Sequence, residues 1–199
     1  GQIANNSANN STLILNKSNA ITFGTTVAQT LTLGGSSTGD NQINLQLVNP
    51  SAGALSVNKT GAGLWILGNS SNSYSGNTTI GLSTTAGGVL QAVDGASLPS
   101  TSALVLGGTS GGGVFQSSGN FVRAVNATAT AGQVTFNSGL TTGAVGFAAA
   151  DSKLVVAMGG LASPTALTWG SGGFMGGSGT LVLNSVYSLA EIEFRNAIN

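Results

Sequence analysis

Residues 58–92 read NKTGAGLWILGNSSNSYSGNTTIGLSTTAGGVLQA. Three apolar runs, LWILG (64–68), TTIGL (78–82) and VLQA (89–92), are each too short for a helix. Clusters of Gly, Ser, Asn and Thr separate them. Runs of this length, bounded by turn residues, are strand signals. Good helix formers such as Glu, Lys and Arg are almost missing, whereas Gly and β-branched residues abound.

The same texture continues in both directions. Upstream lie TLILN (12–16), AITFG (20–24), TLTLG (30–34), INLQLV (43–48) and ALSVN (54–58). Downstream lie ALVLG (103–107), GVFQS (113–117), FVRAV (121–125), QVTFN (133–137), AVGFA (144–148), LVVAM (154–158), ALTWG (166–170), TLVLN (180–184) and EIEFR (191–195). Many alternate, as with Leu31/Leu33, Leu167/Trp169 and Leu181/Leu183. A period of two with one apolar side marks half-buried strands. Only the stretches 93–100 and 185–192 have any helical or turn character. So many strands exceed one sandwich, and the x-L-x-L-G/N unit recurs as a repeat does. Asn and Thr gather at strand ends, where stacked coils can form side-chain ladders. The expected fold is all-β, a right-handed parallel β-helix or β-solenoid, with a multi-strand β-sandwich as the alternative. Residues 1–199 read as one solenoid module, a segment of a longer chain or a subunit of a polymer.

Composition narrows the function. Charged residues are 5% of the chain and the formal net charge is zero. No Lys/Arg cluster serves nucleic acid or anionic lipid, and no apolar run is long enough to span a membrane. Near-zero charge gives little repulsion between copies. There is no His and no Cys, which removes imidazole- and thiolate-based catalysis and metal binding. GSSTG (35–39) and GTSGG (108–112) match G-x-S-x-G, but without a His they are chance matches in a Gly/Ser-rich chain. Ser56-x-x-Lys59 and Lys59-Thr60-Gly61 share one lysine, unlike the separate lysines of β-lactamase-like enzymes.

Among the carboxylates, Glu191 and Glu193 share a strand face about 7 Å apart. Beside Arg195 they read as a solvated face, and Asp40, Asp94 and Asp151 read as dispersed turn residues. Trp65 and Trp169 are candidates for stacking on glycans, although alternating strand positions favour packing in the core. With so few charges, stability is expected to depend weakly on salt and on moderate changes of pH.

Residues 58–92 also resemble the autotransporter passenger-associated repeat, K-T-G-x-G-x-L-x-L-x-G-x-x-x-Y-x-G-x-T-x-[VI]-x-x-G-x-L. Lys59, Thr60, Gly61, Gly63, Leu67, Tyr74, Gly76, Ile80, Gly88 and Leu90 carry the match. Trp65 stands where a small residue or Thr is usual, and LSTTA (82–86) lengthens the approach to Gly88. The resemblance implies a right-handed parallel β-helix, secreted or displayed on a bacterial cell surface, with no catalytic residues to transfer. The glycines are expected at corners, with Leu67, Ile80 and Leu90 in the core and Tyr74 capping an apolar layer. The functional expectation is a non-enzymatic structural protein, without cofactor or metal, whose copies assemble into a filament, tube or sheet. An adhesin that binds host or matrix glycans is the alternative.

Overall fold

The computed structural model describes residues 1–81, 87–107, 112–136 and 143–199. Among these residues there are fourteen strands and no helix. They form a parallel β-solenoid of about five turns, not a sandwich. One six-stranded sheet stacks β1 (Gln2–Ala4), β3 (Gln29–Gly34), β5 (Leu55–Lys59), β7 (Thr78–Ile80), β9 (Leu104–Leu106) and β11 (Val134–Phe136). We call it sheet A. The second, sheet B, stacks β2 (Ile14–Leu15), β4 (Asp40–Ile43), β6 (Leu64–Leu67), β8 (Val89–Gln91), β10 (Gly113–Phe121), β12 (Ala144–Val156) and β13 (Thr180–Leu183). The remaining strand, β14 (Ile192–Phe194), pairs with the far half of β12. From β1 to β12 odd strands fill one sheet and even strands the other, so each of these turns of chain lays one strand on each wall, and β13 and β14 both pair with β12 in sheet B.

Register places inward-facing residues of successive coils on one another. Leu33, Lys59, Ile80, Leu106 and Phe136 are stacked partners along sheet A. Asn41, Trp65, Leu90, Phe115 and Phe147 do the same along sheet B. All ten side chains are buried. Toward the C-terminal end the interior becomes aromatic. Phe121 lies 4.7 Å from Phe147, Phe147 6.0 Å from Phe136, and Phe136 4.9 Å from Phe174. These tilted and edge-on distances are favourable for aromatic pairs.

Coils differ in length. Val57 pairs with Thr78 at the shortest interval and Leu154 with Ile192 at the longest, so a coil takes about 21 to 38 residues. This variation hides the repeat period in the sequence. GVFQS and Phe121, the first residue of FVRAV, fall in the single strand β10, and AVGFA with Leu154–Val156 of LVVAM in β12. They nevertheless belong to different stacks, because the register slips between Ser117 and Gly119. The slip leaves Ala150–Lys153 bulged at the corner, the usual role of an irregularity in a bent strand.

Some expected strands shift. INLQLV gives way to β4 at Asp40–Ile43, because Asn41 takes an inward position. Its amide pays for its burial with hydrogen bonds to Leu13 N, Asn5 Nδ2, Gly39 O and Leu64 O. AITFG contributes only a bridge from Ala20 to Gln46 on a short third flank. ALTWG contributes only the bridge from Leu167 to Ile198. Residues 93–100 form a tight turn in which Leu98 N donates to Val93 O.

Truncating the aromatic stack in Phe147→Ala is expected to lower stability by about 3–5 kcal/mol in guanidinium unfolding. Gly61 has φ of 76°, and a Cβ there would collide with the Gly35 carbonyl of the coil below. Gly61→Ala is therefore expected to destabilise the fold as well, whereas exposed Val186→Ser is not.

Candidate functional site

The repeat-like stretch builds one corner of the solenoid. Gly61 and Gly88 turn with positive φ of 76° and 55°. Gly63 and Gly76 have no left-handed backbone; instead a Cβ at either would strike the coil below, at Ser37 and Leu55 respectively. Leu67, Ile80 and Leu90 lie in the core as expected. Tyr74 is fully buried rather than capping a wet edge. Its hydroxyl meets Thr78 Oγ1 at 2.8 Å, and burial raises its pKa to about 12. Thr60 continues the corner, its N–H donating to Leu33 O at 2.9 Å. The LSTTA insert (82–86) lies outside the described residues, as do residues 108–111 of GTSGG.

Lys59 is the unexpected member of this corner. It occupies an inward position between Leu33 and Ile80 and is 0% exposed. Its Nζ donates to Thr60 O at 2.8 Å, Gly61 O at 2.9 Å and Gly87 O at 2.8 Å. An ammonium has three donors, and three carbonyls from two successive coils receive them. No carboxylate pairs with it among the described residues. Burial lowers its pKa to about 7, while the three carbonyls favour the charged form. Ser56, three residues earlier on the same strand, faces the opposite side, so Ser56 and Lys59 form no catalytic pair. In GSSTG, Ser37 is buried and its Oγ donates to Ser11 O at 3.0 Å.

The tryptophans part company. Trp65 is 1% exposed and its indole N–H donates to Gly34 O at 3.0 Å, so its ring is core and offers no face to a glycan. Trp169 is 37% exposed and stands edge-on to Phe174 at 5.8 Å. Glu191 and Glu193 do share a face, and Lys153 Nζ bridges them at 2.9 and 2.7 Å. Arg195 adds a 2.7 Å contact to Glu193, whose pKa falls to about 2 through its hydrogen bonds with Arg195 and Lys153. This is an exposed ion-pair network.

Two features escaped the sequence reading. Arg123 is buried on the third flank, where it pairs with Asp94 at 2.6 Å and donates to Ser102 O and Pro99 O. Burial raises the Asp94 pKa, and the guanidinium opposes the shift. The other feature is a cleft on the outer face of sheet B. There Leu64, Val89, Val114 and Ala148 form a second small apolar cluster outside the solenoid wall. Residues 184–190 cross this cluster as a strap, with Tyr187 packed on it. Gln116 pins the strap, donating to Tyr187 O and accepting from Ser185 Oγ, both at 3.2 Å. Beside the strap opens a chamber of about 380 Å³ lined by Asp40, Gln91, Gln116, Asp151 and Tyr187. A smaller one of about 220 Å³ shares Gln91 and Asp151 and reaches Ser97 and Ser117. The sequence signal was weak because Asp40, Asp151 and Tyr187 are far apart in the chain and only coil stacking joins them.

Among the described residues no group of three acidic side chains is placed to hold a metal ion. Comparison with protein-family models, curated proteins and solved structures finds no match.

Lys59 gives the fold a pH dependence that the scarcity of ionisable groups did not suggest. Its folded pKa lies below the unfolded value, so between about 7 and 10.5 the unfolded chain binds more protons. Stability therefore rises with pH across that window. Guanidinium midpoints are expected to increase from pH 6.5 to 9.5, by a free energy on the order of 1–3 kcal/mol. Lys59→Met is expected to flatten the rise. A wild-type midpoint that falls across this range contradicts the assignment.

Proposed function

We propose that this chain is a non-enzymatic structural element of a bacterial cell surface or extracellular matrix, assembling with copies of itself through the strand edges of its coils. The observation that carries the reading is the apolar, nearly uncharged strand edge of the coil that holds β1 and β2. Among the described residues β1 pairs with β3 and β2 with β4. Ile3, Leu13, Leu15, Ile21 and Phe23 of that coil are half-buried, packed on the core from one side. A strand edge backed by apolar side chains is a template for a further strand, whether of the same polypeptide or of another copy. Lys17 is the one charged side chain in residues 1–28, so little like-charge repulsion opposes docking.

The opposite end differs. Over sheet A, Phe136 N donates to Gly173 O at 3.1 Å, and Phe174 covers the Phe136 ring. Sheet B ends on β13, with Leu183 exposed beside it. The resemblance of residues 58–92 to autotransporter repeats supports surface display. The residue inventory, with neither imidazole nor thiol, supports a structural rather than catalytic role.

Sedimentation velocity over a hundredfold concentration range, with negative-stain microscopy, tests the proposal. Concentration-dependent assembly is expected. Ile3→Lys combined with Leu15→Lys is expected to weaken it at least tenfold with little change in the unfolding midpoint. A monomer at every concentration, or unaltered assembly of the double variant, contradicts it.

A further inference from the structure

We propose that the corner around Lys59 is a binding site for a primary alkylammonium ion, filled in this chain by the lysine's own side chain. With that side chain cut short, a free alkylammonium of matching length takes its place. The site is separate from the strand edges and from the outer cleft of sheet B.

Its head is built from backbone. Thr60 O, Gly61 O and Gly87 O lie 2.8, 2.9 and 2.8 Å from the lysine Nζ. Among the described residues these three carbonyls accept no hydrogen bond from a backbone N–H. Its shaft is apolar. Lys59 stacks between Leu33 and Ile80 on the inner wall of sheet A and is fully buried. Its methylenes therefore fill one layer of the core while the ammonium reaches the corner.

A second observation marks the same corner as electronegative without reference to the lysine. A Cβ on Gly88 would meet Gly61 O and Gly63 O at 2.5 Å and Ala62 O at 2.6 Å. Three consecutive carbonyls of one coil thus crowd against the next. Gly61, with φ of 76°, makes the turn that allows this. Converging carbonyl oxygens are the means by which backbone alone replaces the hydration shell of a monovalent cation.

The donor count selects the ligand. A primary ammonium presents three N–H groups to the three acceptors, an alcohol presents one O–H, and a quaternary ammonium presents none. A bare alkali ion brings no stem to fill the layer between Leu33 and Ile80. The other buried cation, Arg123, meets the Asp94 carboxylate, whereas no carboxylate pairs with Lys59 among the described residues. Recognition here depends on directed hydrogen bonds more than on opposite charge. Truncation at Cβ leaves a shaft closed by three carbonyls that have lost their donor, which is costly until a molecule of the missing shape restores it.

The test is urea unfolding of Lys59→Ala at neutral pH and constant ionic strength, with propylammonium chloride as the probe. Propanol, tetramethylammonium chloride and potassium chloride are the controls. Propylammonium is expected to raise the midpoint of Lys59→Ala saturably, the folded-to-unfolded ratio growing about elevenfold at ten times the Kd. The controls are expected to leave that midpoint unchanged, and propylammonium to leave the wild-type midpoint unchanged. No rise, the same rise in the wild type, or an equal rise with any control overturns the proposal. A second arm keeps the test decisive where Lys59→Ala fails to fold. Lys59→Cys carries the only thiol of its chain, and is alkylated while unfolded. 2-Bromoethylamine rebuilds an ammonium at lysine's length, and 1-bromopropane builds its uncharged isostere. The aminoethyl adduct is expected to refold with a midpoint near the wild-type value, and the propyl adduct to stay well below it. A propyl adduct as stable as the aminoethyl adduct also overturns the proposal.

Discussion

The backbone groups of each coil find their partners in the coils before and after it. This constraint governs the rest of the structure. A helix or hairpin satisfies its N–H and C=O groups locally, whereas here every strand depends on a neighbour about 21 to 38 residues away in sequence. In-register stacking then follows, and with it the alignment of Leu on Ile and Phe along the inner walls. An unpaired buried backbone group costs too much for the stack to tolerate a slip without compensation. Where a slip occurs, at Ser117/Gly119, the compensation is a bulge on the surface.

Polar side chains do at the corners what ladders do on the walls. Asn72 takes the Leu47 N–H on its oxygen and donates to Ser97 O in the next coil, both at 2.8 Å. Asn196 serves Met158 and Thr165 in the same way. Lys59 is the charged version of this device, an ammonium placed among three carbonyls. A short amide satisfies the corner without desolvating a charge. A lysine satisfies more acceptors at once, at a cost that depends on pH.

The architecture was legible because solenoid strands repeat a simple pattern. TLTLG and ALVLG alternate, and their inward residues Leu31, Leu33, Leu104 and Leu106 are buried. β1 was not legible, since Gln2–Ala4 holds three residues and a single large apolar one. β4 was missed because its inward position is Asn41, a residue that reads as a turn until its four partners are seen. Tyr74 and Lys59 stood out in the stretch 58–92, but not their depth, because burial depends on which coil lies above. The cleft was illegible for the same reason. Asp40, Asp151 and Tyr187 meet only because three coils and a strap are laid side by side.

Spin labels at Gln2→Cys and Val105→Cys test the stacking directly, since the chain has no native cysteine. Gln2, Thr32, Asn58, Thr79 and Val105 are successive register partners along sheet A. Four strand spacings separate the outer two, or roughly 19 Å. Double electron–electron resonance should give a single narrow distance distribution near that value, broadened only by the label linkers. A broad distribution, or one centred beyond about 35 Å, far more than four strand spacings, would contradict the parallel in-register solenoid on which every other conclusion rests.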